Sequence, residues 1–102
     1  MQSLTPKQRK YLRSQAHHLE PVVLIGKNGV TDGTIVTVNK VLDTRELIKI
    51  KFREYKDEKQ SLSLQVAEST KSHIVGMIGH TVIFFRQNPD PEEQNIKLPD
   101  LK

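Results

Sequence analysis

The 102-residue chain has no cysteine and no tryptophan. Without thiols it can form neither disulfides nor thiolate zinc sites, and the lack of cysteine fits a reducing compartment. No apolar run approaches the roughly 20 residues that a membrane-spanning helix needs. The first residues, MQSLTPKQRKYLR, also lack the apolar segment of a signal peptide. We therefore expect a soluble, cytoplasmic protein without membrane contact.

Combinations of residues that catalyse reactions or hold metals are scarce as well. His17 and His18 are adjacent, so on a helix they point about 100° apart and cannot chelate one metal ion as an i, i+4 pair would. The other two histidines stand alone in the sequence. Residues 26–33 match neither a Walker A loop nor a dinucleotide-binding fingerprint. We expect no enzyme activity, no metal and no cofactor.

Charge is unevenly distributed along the chain. The formal net charge is +4, and residues 1–31 alone account for as much, because they contain one acidic residue, Glu20, and five basic ones: Lys7, Arg9, Lys10, Arg13 and Lys27. The tail from residue 87 is acidic. A localised positive field favours a polyanionic partner, most often a nucleic acid, although a solubilising surface is the common alternative.

The first basic residues fall on a predicted helix. Thr5 can serve as its N-cap, Pro6 as its first residue and Gln8 as the partner in a capping box. An apolar face is formed by Leu12, Ala16 and Leu19, and the opposite polar stripe by Lys7, Lys10, Ser14 and His17, with Arg13 beside it. No acidic residue interrupts this helix, which is unusual for a surface helix.

The stretch LIGKNGV, residues 24–30, admits two structures. Its Asn-Gly pair between apolar residues favours a tight β-hairpin, with the β-branched residues 34–38 as second arm. Alternatively, the apolar run 21–25 is a strand buried on both faces, followed by a loop and a helix that Thr31 caps. The residues left between the turn and the second arm suit a hairpin poorly. We favour strand, loop and helix, and the hairpin stays open as the alternative.

Two downstream segments differ in how clearly their pattern indicates a structure. Residues 46–52 (ELIKIKF) alternate as in a strand, with Ile48, Ile50 and Phe52 inward and Lys49 and Lys51 outward. Residues 61–67 (SLSLQVA) are ambiguous, because strict alternation leans slightly towards a strand while Leu62 and Val66 also suit a helix.

The last part of the chain predicts a hairpin and a tail. Residues 74–78 and 81–85 read as strands joined by a two-residue turn at Gly79-His80. The tail contains three prolines and mixed charge, so we expect it to be extended or mobile. The length and the 35% hydrophobic content predict one compact domain over residues 1–87, with the tail at 88–102.

Three segments together resemble a known family: LTPKQRKYLRSQAHHLEPVVLIGKNGVTDG (4–33), RELIKIKF (45–52) and IGHTVIFFR (78–86). They are similar to the stand-alone bacterial, YhbY-like members of the CRM (chloroplast RNA splicing and ribosome maturation) domain family. The resemblance implies an α/β domain in the order α-β-α-β-α-β-β, with a four-stranded mixed sheet packed with helices. That fold is similar to the C-terminal domain of translation initiation factor three. It also implies that residues 61–72 form the third helix, against the lean of the local pattern.

The resemblance also implies RNA binding, and for single-domain bacterial members association with ribosomal RNA in precursors of the large ribosomal subunit. A loop with two glycines can bring its backbone close to a phosphodiester chain, while Lys27 adds charge and Asn28 a donor. We expect this loop and the basic helix to form one continuous surface along one RNA strand. The expected RNA-binding residues are Lys7, Arg9, Lys10, Arg13, Gly26, Lys27, Asn28 and Gly29.

Other partners are weighed against this hypothesis. Ribosomal proteins are possible further partners, and a protein-interaction module of ribosomal particles without direct RNA contact is the alternative function. The five aromatic residues offer few stacking platforms, which argues for recognition of backbone and shape. We expect a monomer.

Overall fold

The computed structural model describes residues 4–94 and 96. Within these residues the predicted order of elements, α-β-α-β-α-β-β, is confirmed. The helices are α1 (Pro6–Ala16), α2 (Asp32–Arg45) and α3 (Lys59–Thr70). The strands are β1 (Pro21–Ile25), β2 (Leu47–Phe52), β3 (His73–Ile78) and β4 (Thr81–Phe85). Short 3-10 turns occupy Lys56–Glu58 and Pro91–Glu93.

The four strands form one mixed sheet in the order β1-β2-β4-β3. β1 runs parallel to β2, whereas β4 pairs antiparallel with both β2 and β3. β1 is therefore an edge strand. The expectation that it is buried on both faces is wrong, because Val22 and Leu24 are 36% and 51% exposed while the alternating Val23 and Ile25 are buried.

The two faces of the sheet carry separate cores. One, the α2/α3 face, packs against α2 and α3 with a large apolar cluster: Val23, Ile25, Val38, Leu42, Ile48, Ile50, Phe52, Val66, Ala67, Val82 and Phe84. The other, the α1 face, packs against α1 with a smaller one: Leu4, Leu12, Ala16, Leu47, Val75, Ile83 and Phe85. The period-2 alternation of the strands divides neighbours such as Phe84 and Phe85 between the two cores.

Both long predicted helix starts are confirmed by their caps. In α1 the Thr5 hydroxyl accepts a hydrogen bond from the Gln8 amide, and the Gln8 side chain accepts one from the Thr5 amide, each at 3.1 Å. In α2 Thr31 and Thr34 exchange the equivalent bonds. Because α2 begins directly after the Asn-Gly turn, the hairpin alternative for residues 24–38 is wrong.

The structure of α3 differs from the strand that the local pattern of residues 61–67 slightly favoured. The resemblance to the CRM family implied a helix there, and a helix is found. Its buried stripe is Ser63, Val66, Ala67 and Thr70, which follows helical spacing. Leu64, the residue that completes the apparent alternation, is 57% exposed. The alternation of polar and apolar residues in this segment therefore does not correspond to a strand with one buried face.

The described part of the tail contacts the domain through Glu46. This side chain is fully buried and its backbone has a φ of 63°. Its two carboxylate oxygens accept hydrogen bonds from the amides of Asn88 (2.6 Å) and Ile96 (2.9 Å). Ile96 also packs against the α1-face core. The division at 87/88 stays a prediction, and the tail residues 95 and 97–102 lie outside the described residues.

Candidate nucleic-acid interface

The loop Gly26–Gly29 leaves the C-terminal end of β1 as a tight turn. The Gly29 amide donates to the Gly26 carbonyl over 3.0 Å, and Gly29 has a φ of 66°. Of the two loop glycines, Gly29 alone adopts the left-handed conformation that favours glycine. At Gly26 an added Cβ would meet no atom within 4 Å, so its missing side chain leaves space above the backbone open.

Tyr55 braces this loop from the segment between β2 and α3. Its hydroxyl donates to the Lys27 carbonyl over 2.7 Å, and its ring lies 3.4 Å from where a Cβ on Gly29 would be. The neighbouring amides of Arg53 and Glu54 both donate to the Ile25 carbonyl, at 2.9 and 3.2 Å. Sequence reasoning missed Tyr55, since nothing in the sequence pattern links the two segments.

The loop presents backbone donors at the start of α2. The amides of Lys27, Asn28 and Val30 meet no acceptor among residues 4–94 and 96, and the side chains of Lys27 and Asn28 are exposed. α2 begins at Asp32, where the helix dipole favours an anion and the carboxylate of Asp32 itself opposes one. The loop therefore combines unpaired backbone donors with the exposed ammonium of Lys27, and groups of both kinds bind phosphate in proteins.

A groove of about 540 Å³ borders the loop on one side. Its charged lining is mixed, with three cationic and three anionic side chains: Lys27, Arg53 and Lys56, and Glu54, Asp57 and Glu58. The carboxylates offset the cations, so this side of the loop offers a polyanion little net attraction.

The predicted basic residues of α1 divide into free and engaged side chains. Lys7, Lys10 and Arg13 are exposed. The aliphatic stem of Arg13 lies over Gly76 of β3, where an added Cβ would come within 3.0 Å of Arg13 Cδ. Arg9 is half-buried, and its guanidinium donates to the carbonyl of Ile74. Arg9 therefore fastens α1 to the edge strand β3 in this structure.

A strip of the α1 face separates α1 from the loop. Near α1, Lys49 donates to the Leu19 carbonyl over 3.0 Å, and it lines a shallow hollow together with His17 and Thr81. Nearer the loop, Lys51 is exposed and pairs in register with Leu24, two residues before Gly26. The side chains of Lys49 and Lys51 point to the same face, because alternate residues of a strand do so.

One histidine beside the basic helix has a perturbed pKa. Partial burial, and secondarily the positive charge of Arg9, lower the pKa of His73 below its ordinary value of 6.5. Its imidazole therefore adds no positive charge to the surface at neutral pH.

Metal ligation and membrane insertion find no support in the described part of the chain. No cluster of three or more histidine or carboxylate side chains within it could hold a metal ion. None of its helices combines the length and the apolar character needed to cross a bilayer.

Comparison with known proteins gives consistent matches. The family model for the CRS1 / YhbY (CRM) domain matches residues 4–86. The chain is 35% identical over 97 residues to "Probable RNA-binding protein YqeI" of Bacillus subtilis, covering 94% of this chain and 99% of that one. It is 37% identical over 100 residues to an "RNA-binding protein" of Haemophilus influenzae, covering 97% and 98%. A solution structure of SAV1595 from Staphylococcus aureus, whose description proposes RNA binding, matches with a TM-score of 0.79 and 36% identity, covering 95% and 100%.

Proposed function

The chain belongs to the CRS1/YhbY (CRM) domain family, and on that premise we propose that it binds RNA, gripping the sugar-phosphate backbone with the Gly26–Gly29 loop and the basic face of α1. The family's relatives that are named RNA-binding proteins support the class of ligand. The observation that carries the proposal is the loop itself. The amides of Lys27 and Asn28 meet no acceptor within the described residues, Tyr55 holds the loop in place, and the loop lies at the positive end of α2.

Such a site reads the backbone more than the bases. Backbone amides and a lysine contact phosphate oxygens, which are the same for every sequence, so these contacts fix the position of the RNA without specifying it. The exposed side chains of Lys7, Lys10 and Arg13 extend the positive surface along α1. Arg9 contributes charge from its place beside β3, while its donors are partly used by Ile74.

We further propose that the RNA is ribosomal RNA in precursors of the large ribosomal subunit, in the cytoplasm. The support for this step is the family membership, together with a small basic domain whose contacts are largely independent of sequence. A protein that contacts only the sugar-phosphate backbone of the RNA must obtain its specificity from the shape of the precursor particle. Co-sedimentation with precursor particles tests it. Binding that survives removal of exposed RNA, without any affinity for naked RNA, would favour the protein-interaction alternative.

The test of the RNA site is the salt dependence of binding to a fluorescent rRNA fragment. If about five phosphates are contacted, affinity falls roughly 100-fold between 50 and 200 mM salt. We expect Lys27→Ala and Lys10→Ala each to lower the slope of log K against log salt by up to ~0.7. Lys40→Ala is the matched control, because Lys40 is exposed on α2 on the other side of the sheet. If both variants keep the affinity and the salt slope of the unchanged protein, the assignment of this site is wrong.

A further inference from the structure

α1 covers only part of the sheet face on which it lies. Its core reaches Leu47 of β2, Val75 of β3 and both Ile83 and Phe85 of β4. Beyond these residues, towards the loop, the face is open to solvent. There, a row of paired residues crosses the sheet from edge to edge: Leu24, Lys51, Thr81 and Ile78. We call Val22, Leu24, Lys51 and Ile78 the open half of the α1 face.

The open half contains three exposed aliphatic side chains. Ile78 is 58% exposed, and Leu24 and Val22 are 51% and 36% exposed. Leu24 and Ile78 are separated by three strand spacings, or about 14 Å, with Lys51 and Thr81 between them. A protein interface is usually built around a contiguous apolar core from which charges are depleted. Isolated aliphatic groups that alternate with a lysine fit such a partner poorly.

Charge distinguishes the open half from the other side of the loop. The four strands contain no carboxylate, and their only lysines, Lys49 and Lys51, both lie on this face. Lys49 is engaged with the Leu19 carbonyl, whereas Lys51 has no bonded partner among the described residues. In the groove on the other side of the loop, three cationic side chains offset the carboxylates of Glu54, Asp57 and Glu58. A polyanion that passes the loop therefore meets the unpaired ammonium of Lys51 on the sheet side and little net attraction on the groove side.

We propose that the open half of the α1 face binds a single-stranded RNA segment as it leaves the Gly26–Gly29 loop. Lys51 contacts a phosphate, and Leu24, Val22 and Ile78 pack against the faces of unstacked bases. Bases present apolar faces to aliphatic side chains only when they are unstacked, so a duplex cannot use these contacts. The inference rests on the proposed function. It adds to backbone binding, which any RNA allows, a preference for single-stranded RNA.

Binding of one labelled RNA sequence, as a single strand and as a duplex, tests the inference. Leu24→Ser should weaken single-strand binding about fivefold and leave the salt slope unchanged, because only apolar contact is lost. Lys51→Ala should lower the slope by up to ~0.7 for the single strand. The matched controls are Leu64→Ser on α3 and Lys40→Ala on α2, both at exposed positions away from this face. They should bind like the unchanged protein, and thermal melting checks that every variant is folded.

The outcomes separate this inference from the proposed function. If Leu24→Ser loses affinity for the single strand and keeps its affinity for the duplex, the inference is supported. Unchanged binding in folded Leu24→Ser and Lys51→Ala overturns it, and the proposed function then still stands if Lys27→Ala weakens binding. Equal losses for single strand and duplex in Leu24→Ser overturn it as well. If the unchanged protein binds neither RNA, both the inference and the proposed function fail.

Discussion

The two faces of the sheet in this protein are built from the same four strands and yet differ in how far they are covered. On the α2/α3 face, two helices cover residues from all four strands, and Phe52, Val82 and Phe84 are buried. On the α1 face, one helix covers the part near Leu47 and Phe85 and leaves the remainder to solvent. The comparison teaches that the two faces differ in how much of the core they supply: one side supplies most of it, and the other, on which we propose that RNA binds, keeps surface free beside the loop.

The largest effect that separates the faces is expected from Phe84→Ala. Phe84 is fully buried among the α2/α3-face residues, so its truncation removes a large apolar contact and leaves a cavity. We expect a loss of about 3–5 kcal/mol in the free energy of unfolding, measured by chemical denaturation. Leu24→Ser on the open half should cost less than about 1 kcal/mol, since surface changes are usually small. Similar losses at both positions would contradict the division.

A smaller effect separates the two glycines of the loop. Gly29→Ala should lower the free energy of unfolding by about 1–2 kcal/mol, because Gly29 has a φ of 66° and a residue with a Cβ is strained in this left-handed conformation. Gly26→Ala meets no neighbour and needs no change of backbone, so stability should be unchanged. If RNA approaches the loop closely, Gly26→Ala should nevertheless weaken RNA binding. Full RNA affinity in Gly26→Ala would mean that the RNA does not press against this glycine.

The smallest effect is expected from His73, at the edge of the sheet beside Arg9. Burial, with Arg9 as a second cause, lowers the pKa of His73 in the folded state below 6.5, so the folded protein binds fewer protons than the unfolded chain just below that pH. His73 therefore leaves stability unaffected well above pH 6.5 and lowers it as the pH falls through 6.5 to the folded-state pKa.

Denaturation at pH 7.5 and pH 5.0 measures this contribution as a difference between two proteins. His73→Gln cannot titrate at this position, so its loss of stability on acidification should be smaller than that of the unchanged protein. An equal or larger loss in His73→Gln would show that His73 is not responsible.

Local sequence patterns predicted the features that are fixed locally. The caps at Thr5 and Thr31 and the alternation of β2 follow from hydrogen bonds and side-chain periodicity within one segment. The burial of β1 was mispredicted because α1 covers only part of its sheet face and leaves Val22 and Leu24 exposed, and no segment by itself contains that information. For α3, in contrast, the resemblance to the family predicted the helix, whereas the local pattern slightly favoured a strand.

The candidate site was predictable only in part for the same reason. The loop residues and the basic residues of α1 can be picked out from composition and spacing, but the contacts that hold them join distant segments. Tyr55 reaches Lys27 across 28 positions, and Arg9 reaches Ile74 across 65. The exposure of Leu24 likewise depends on where α1 ends relative to the sheet.

Mapping of backbone amide shifts by NMR, during titration with a single-stranded RNA, tests the central claim most directly. We predict that the amides of the Gly26–Gly29 loop and of Leu24 and Lys51 shift most, while those around the exposed Val36 of α2 and Leu64 of α3 remain in place. Shifts concentrated on the outer surfaces of α2 and α3, with the loop amides unmoved, would contradict the account.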